Sequence, residues 1–379
     1  MNVIVLGAGF GGLELSTRLA DELGDDVAIT LIDRNDSFVF GFSKLDVMFG
    51  RTTAEAVRHH YREHLRPQIT FVQTTVRRID PATKTAETDA GTFSGDVMVI
   101  ALGADYDIAA TPGLAEAGTE FYTVAGAFAA RDVLAGFAGG RVIVGVCGSP
   151  FKCPPAPSET ALMVHDLLVT KGVREESSVA LVMPLPAPIP PSPDASAALL
   201  TAFAERDIEW HPGTVITGLD PQRKVALVAD GSEIPFDLFL AIPKHVAPAV
   251  LVESGLTVDG WVPVDFASLE TSFPDVYAVG DCTSVGTPKA GVFSEGQAAV
   301  AADAILARAR GAEFRPYDGS AACYLEFGHE QVARVDIQFM KGEPPRGTLT
   351  GPIHDLIADK ASFGAERIRR WFGRDWVSY

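Results

Sequence analysis

Val3-Ile4-Val5-Leu6-Gly7-Ala8-Gly9-Phe10-Gly11-Gly12 sets the reading of this chain. Four consecutive apolar residues make a short strand of the kind buried on both faces. Gly7, Gly9 and Gly12 fit G-x-G-x-x-G, and residues 11–23 follow with Leu13, Leu15, Leu19 and Leu23 at helical spacing. Residues 27–32 are a second apolar run, which gives strand, helix and strand in about 30 residues, one parallel crossover unit. Gly7 permits the tight turn, Gly9 lets the backbone approach a pyrophosphate, and Gly12 lets the helix pack on the sheet. Phe10 and Gly11 open that helix, whose first N–H groups face the phosphates. Asp33, with Arg34 beside it, ends the second strand about 20 residues after Gly12, where an acid holds a ribose 2′-OH. The loop is therefore expected to bind a dinucleotide.

Two later stretches decide which one. Val99-Ile100-Ala101-Leu102-Gly103-Ala104 resembles the strand-glycine motif that closes the FAD half of two-dinucleotide-domain flavoproteins. Thr271-Ser272-Phe273-Pro274-Asp275-Val276-Tyr277-Ala278-Val279-Gly280-Asp281 resembles their second FAD signature, an apolar strand ending in Gly-Asp. The resemblance implies FAD, with Ala101, Gly103, Gly280 and Asp281 among its contacts. Val76, ending a predicted strand at 69–76, joins that set. So does Lys289, in Pro288-Lys289-Ala290-Gly291, at the flavin pyrimidine edge. Residues 38–44 hold no cysteine for a covalent link, so the FAD is expected to be non-covalent.

A second strand-helix-strand cycle opens at Arg141. The fold class that follows is α/β, with two Rossmann-like dinucleotide-binding domains and a small C-terminal appendage. The expected division is 1–110 with 246–315 for FAD, 111–245 for the second unit, and 316–379 for the appendage. The second glycine stretch, Gly145-Val146-Cys147-Gly148-Ser149-Pro150-Phe151-Lys152-Cys153-Pro154-Pro155, has the wrong glycine spacing and puts prolines where a helix would meet phosphate. Pro184-Leu185-Pro186 stands where an acid or arginine would hold a nicotinamide dinucleotide's ribose. NAD(P)H is thus not the expected main electron source.

Cys153-Pro154-Pro155-Ala156-Pro157-Ser158-Glu159 and Ala322-Cys323-Tyr324 resemble the sulfide:quinone oxidoreductase and flavocytochrome c sulfide dehydrogenase family, over roughly residues 1–340. In that family the matching cysteines form a redox disulfide beside the flavin, which gives Cys153 and Cys323 those roles by resemblance. A sulfur nucleophile attacks a disulfide by exchange, and the released thiolate carries electrons onward. Lys152 and a helix start near Cys153 favour its thiolate. Glu159 is read as a proton-handling or capping acid. Cys147 and Cys282 read as packing residues. The chain departs from many quinone-linked members in lacking a cysteine between about 115 and 130.

The net charge of −18, with 47% apolar and 21% charged residues, argues against nucleic acid and against an anionic membrane surface. No export segment follows Met1, so the cytoplasm is the expected compartment, with peripheral contact at the membrane's inner face as an option. That option rests on residues 353–376, read as a helix with Arg367, Arg370 and Arg374 on one face and Ile368, Trp371 and Phe372 on another. The apolar face is suited to a membrane interface, the protein body or a second subunit in a homodimer. Residues 54–66 also read as a helix, with His59, His60 and His64 on a polar face and no metal expected. The functional expectation is an FAD oxidoreductase taking electrons from a small sulfur species and passing them to a quinone or another acceptor. An NAD(P)H-dependent flavin disulfide or quinone reductase and a flavin-bearing accessory protein remain open alternatives.

Overall fold

The computed structural model describes residues 1–377, His64 by its backbone alone. Two five-stranded parallel sheets form its body. In the first, the strand order is Val276–Ala278, Val97–Ile100, Asn2–Leu6, Ala28–Asp33, Ile69–Gln73. In the second it is Gly118–Glu120, Leu238–Ile242, Arg141–Val146, Ser178–Val182, Ile208–His211. The first sheet grows from Asn2–Leu6 in one direction and then in the other, and the second does the same from Arg141–Val146, with Gly118–Glu120 already laid at its far edge. That reversal opens a crevice at the carboxyl ends of the strands, where ligands bind in such sheets.

The uninterrupted apolar runs follow from burial on both faces. Val3 and Val5 face one core and Ile4 and Leu6 the other, none more than 1% exposed. The Phe10–Leu23 helix packs its leucines into the first core beside the alanine-rich Gly291–Arg310 helix.

The C-terminal region is more than an appendage. Strands Ser320–Gly328, Gln331–Gln338 and Arg346–Ile353 form an antiparallel sheet, followed by the Leu356–Phe372 helix. The expected helix thus starts later, and the sheet before it was not foreseen. The apolar face of that helix is docked inward. Ile368, Trp371 and Phe372 are buried in the first core, and the Trp371 ring meets Phe10 edge-on at 5.6 Å. Trp371 Nε1 donates to Glu14 Oε2 at 2.9 Å, and Arg370 and Arg367 pair with Glu14 and Glu295. This face is occupied by the protein body and is not available to a membrane.

The helix expected at 54–66 is largely absent. Only Tyr61–His64 is helical, and Arg58–His60 is a strand paired with Ser37–Val39. Val57, His59 and Tyr61 are buried in alternation, so a period of two wins over the helical reading. His59 is a core residue packed on Phe372 and Trp376, and burial with the Arg374 charge pushes its pKa down to about 3. The His64 side chain of the proposed polar face lies outside the described residues.

Candidate active site

A cavity of about 800 Å³ opens at the carboxyl end of the first sheet. Gly7 sits at φ +104°, and a Cβ there would stand 2.3 Å from the Ala101 carbonyl oxygen. A Cβ on Gly12 would come within 1.9 Å of the Gly7 carbonyl. These two glycines shape the turn from behind and do not line the cavity. Gly9 does line it, with open space at its missing Cβ, and Phe10 and Gly11 follow on the helix start. Asp33 Oδ2 accepts the Ala8 N–H at 2.7 Å, which locks the loop to the second strand.

The cavity wall gathers most residues singled out from the sequence: Gly9, Phe10, Gly11, Asp33, Arg34, Ala101, Gly103, Gly280, Asp281, Cys153, Glu159 and Cys323. Val76 does not reach it and is packed in the core on the opposite face of the sheet. Lys289 does not line it either. Its ammonium donates to the Asp281 and Thr283 carbonyls at 2.7 and 3.2 Å and stands 3.3 Å from the Trp261 ring centroid. The Lys289 carbonyl accepts the Cys153 N–H at 2.7 Å. Lys289 therefore joins the Gly280-Asp281 loop to the Cys153 loop from behind.

Asp281 supplies a test of fit for a polar cofactor. Its Oδ1 is buried and has no hydrogen-bond partner among the described residues. A buried, unpaired carboxylate oxygen is costly, and its position on the cavity wall suits a ligand hydroxyl. The open cradle at Gly9 fits a phosphate in the same way.

Cys153 has a left-handed backbone at φ +51°, held by the Lys289 carbonyl on one side and by the Ala156 N–H, which its own carbonyl accepts at 2.9 Å. Burial pushes its thiol up to about 12, and Glu159 adds to this, while Lys44 and the Ala156 N–H pull it down. The expected low pKa set by Lys152 is not what the structure gives. Lys152 turns to the Ala104 carbonyl at 3.3 Å and the Tyr106 ring. The cation that acts on Cys153 is Lys44, a cavity-lining residue missed in the sequence, which donates to the Tyr122 carbonyl at 2.7 Å. Its position two residues after the aromatic run from Phe38 to Phe42 was the one available signal.

Cys323 faces the same cavity from the Ser320–Gly328 strand, and both cysteines are free thiols in the structure. Burial, then Cys153 and Glu159, hold the Cys323 thiol well above its usual value. Glu159 is 3% exposed, and burial pushes its carboxyl up to about 7. Behind it Glu326 is ion-paired with Arg51 at 2.7 Å and with Lys360, and Asp46 meets Arg51 at 3.5 Å. The remaining cysteines pack: Cys147 and Cys282 are buried, and both thiols are pushed up to about 12 by burial.

Residues 1–304 match the model of the family described as pyridine nucleotide-disulphide oxidoreductase. The chain is similar to mitochondrial sulfide:quinone oxidoreductase of Mus musculus, 23% identical over 353 residues, covering 89% of this chain and 78% of that protein. It is also similar to the type II NADH:quinone oxidoreductase of Staphylococcus saprophyticus, 22% identical over 315 residues and 74% of each chain. The solved structure of sulfide:quinone oxidoreductase from Aquifex aeolicus matches with a TM-score of 0.84 at 21% identity, covering 100% of this chain and 96% of that one. At that identity the structural likeness bears on the fold.

Proposed function

The chain belongs to the pyridine nucleotide-disulphide oxidoreductase family, and from that premise we propose that it is an FAD-dependent enzyme oxidising sulfide or a small thiol through Cys153 and Cys323, with a quinone as acceptor. The observation that carries this reading is the convergence of both cysteines, the first glycine loop and Asp281 on one cavity. The Gly9 backbone and the N-terminus of the Phe10–Leu23 helix would hold the pyrophosphate, Asp33 a ribose hydroxyl, and Asp281 Oδ1 a further hydroxyl. Bound there, FAD supplies a two-electron acceptor beside the cysteines.

The two sulfurs have different roles. In their disulfide form, attack by hydrosulfide on Cys323 forms a new S–S bond, leaving a persulfide there, and breaks the old one, releasing Cys153 as thiolate with the electron pair. Burial and Glu159 disfavour charge on both sulfurs. Lys44 and the Ala156 N–H offset this at Cys153, as Tyr324 and Lys360 do at Cys323, and Cys153, faced by the cavity-lining Lys44, is assigned as the leaving group. Glu159, titrating near 7, can take the persulfide's proton. Phe40, Phe42 and Phe363 also line the cavity and would give a quinone apolar surface. No helix among the described residues is long and apolar enough to cross a membrane, so a quinone would have to be met from outside the bilayer core.

The type II NADH:quinone oxidoreductase relative makes NADH the rival reductant. Against it, the helix start in the second unit is already occupied: Cys153 accepts the Ala156 N–H, and Pro155 accepts those of Ser158 and Glu159. Few N–H groups remain for a nicotinamide dinucleotide's phosphates. Anaerobic titration of the flavin spectrum with sulfide, a thiol, NADH and NADPH in turn tests the choice. Reduction by sulfide at stoichiometric amounts is expected; fast bleaching by NADH with none by sulfide would overturn it.

A further inference from the structure

Away from the cavity, three ligand-type side chains meet where the sheet of Cys323 touches the helix of Glu159. His165 and Asp166 lie on the Ala156–Thr170 helix, and His329 is at the turn between strands Ser320–Gly328 and Gln331–Gln338. Asp166 Oδ1 is 3.2 Å from His165 Nδ1 and 3.0 Å from His329 Nε2. One donor atom from each of the three lies within 4.8 Å of the others.

We propose that His165, Asp166 and His329 bind a zinc-type divalent cation that clamps the Cys323 hairpin to the helix following Cys153. Two imidazoles and a carboxylate are a zinc donor set, and about 2.0–2.2 Å from a tetrahedral metal to each ligand implies ligand separations of about 3.3–3.5 Å, near the two that Asp166 Oδ1 makes with the imidazoles. Three protein ligands leave a coordination position for water, which the half-exposed His329 side chain admits. His165 is buried with its Nδ1 facing Asp166, and Arg174 and Arg206 stand nearby. Both arginines are engaged with backbone carbonyls, Arg174 with those of Ser177 and Arg206, and Arg206 with those of Ala202 and Phe327.

The turn is built around this contact. Gly328, His329 and Glu330 all have left-handed backbone, which histidine and glutamate rarely adopt. A Cβ on Gly328 would stand 2.4 Å from Asp166 Oδ2, and that same oxygen accepts the His329 N–H at 2.6 Å. The turn is thereby held with the His329 ring toward the helix.

The test uses the FAD-loaded full chain with Cys153→Ser and Cys323→Ser, so that the cavity thiols contribute no ligand. Equilibrium dialysis against Zn²⁺ should find one ion per chain, and His329→Ala and Asp166→Asn should each weaken binding at least about tenfold. No stoichiometric zinc, or zinc retained undiminished in His329→Ala, would overturn the site. Hydrogen exchange in the unmutated chain needs no variant to fold. Zinc should slow exchange across Ser320–Gln338, and unchanged exchange at saturating zinc would overturn the clamp.

Discussion

Glu159 Oε1 accepts the backbone N–H of Glu326 at 2.9 Å, tying the helix that follows Cys153 to the strand that carries Cys323. One buried carboxyl thereby both fixes the geometry between the two cysteines and stands ready to handle a proton.

That carboxyl gives stability a defined pH dependence. Its pKa rises from 4.5 to about 7 on folding because burial disfavours the charge. Below 4.5 it is protonated in both folded and unfolded chains and costs nothing. As pH climbs from 4.5 to 7 the unfolded chain ionises it while the folded protein keeps it protonated, so stability falls, and the loss is complete above 7. At about 1.4 kcal/mol per pH unit the loss is up to ~3 kcal/mol. Glu159→Gln keeps an acceptor for the Glu326 N–H, so urea unfolding should show a shallower decline over that window and a relative gain above pH 7. Asp46, pushed up to about 6 by burial, should leave a residual slope.

Lys44 is expected to set the reactivity of Cys153. Burial pushes the Lys44 pKa down to about 8, so it is largely charged at pH 7. An adjacent cation lowers a thiol pKa by about a unit or more, so Lys44→Met should reduce Cys153 thiolate at pH 7 by roughly tenfold, with the difference fading above pH 8 as Lys44 itself deprotonates. The measurement is the rate of iodoacetamide labelling of Cys153 in the reduced protein, read by peptide mass spectrometry against pH. The profile of the variant should move to higher pH.

Asp281→Ala should yield a folded protein that loses FAD. Removing a charged hydrogen-bonding group costs about 1.5–3 kcal/mol, which is about 10- to 100-fold in affinity. Flavin fluorescence on titration with FAD reads this directly, and unchanged affinity would remove Asp281 from the site.

Trp371→Ala tests the docking of the C-terminal helix. The indole is fully buried and hydrogen-bonded to Glu14. Its loss should cost about 3–5 kcal/mol, seen as a lower urea midpoint, whereas a helix reserved for a membrane would tolerate the change.

The glycine loop and the Gly280-Asp281 end of the site could be read from sequence because close backbone approach leaves glycine no substitute: Gly12 has no room for a Cβ. The cysteines carried a motif of their own. The C-terminal sheet was hidden because its first turn is made by Gly328-His329-Glu330, with left-handed histidine and glutamate where glycine or asparagine would have signalled a hairpin. Arg58–His60 was hidden because its pattern suits a helix until Phe372 and Trp376 arrive from the far end of the chain to bury His59. Lys44 and the true neighbours of Cys153 depend on three segments distant in sequence, so the sign of the thiol's shift could not be read locally.

The most direct measurement is rapid anaerobic mixing of the FAD-loaded, oxidised enzyme with sulfide, followed at the flavin absorbance, in the wild type and in Cys153→Ser. The wild type should be reduced within a catalytic turnover, and the variant should be slower by at least about a hundredfold while keeping its FAD. Reduction of the variant at the wild-type rate would contradict electron entry through Cys153 and Cys323.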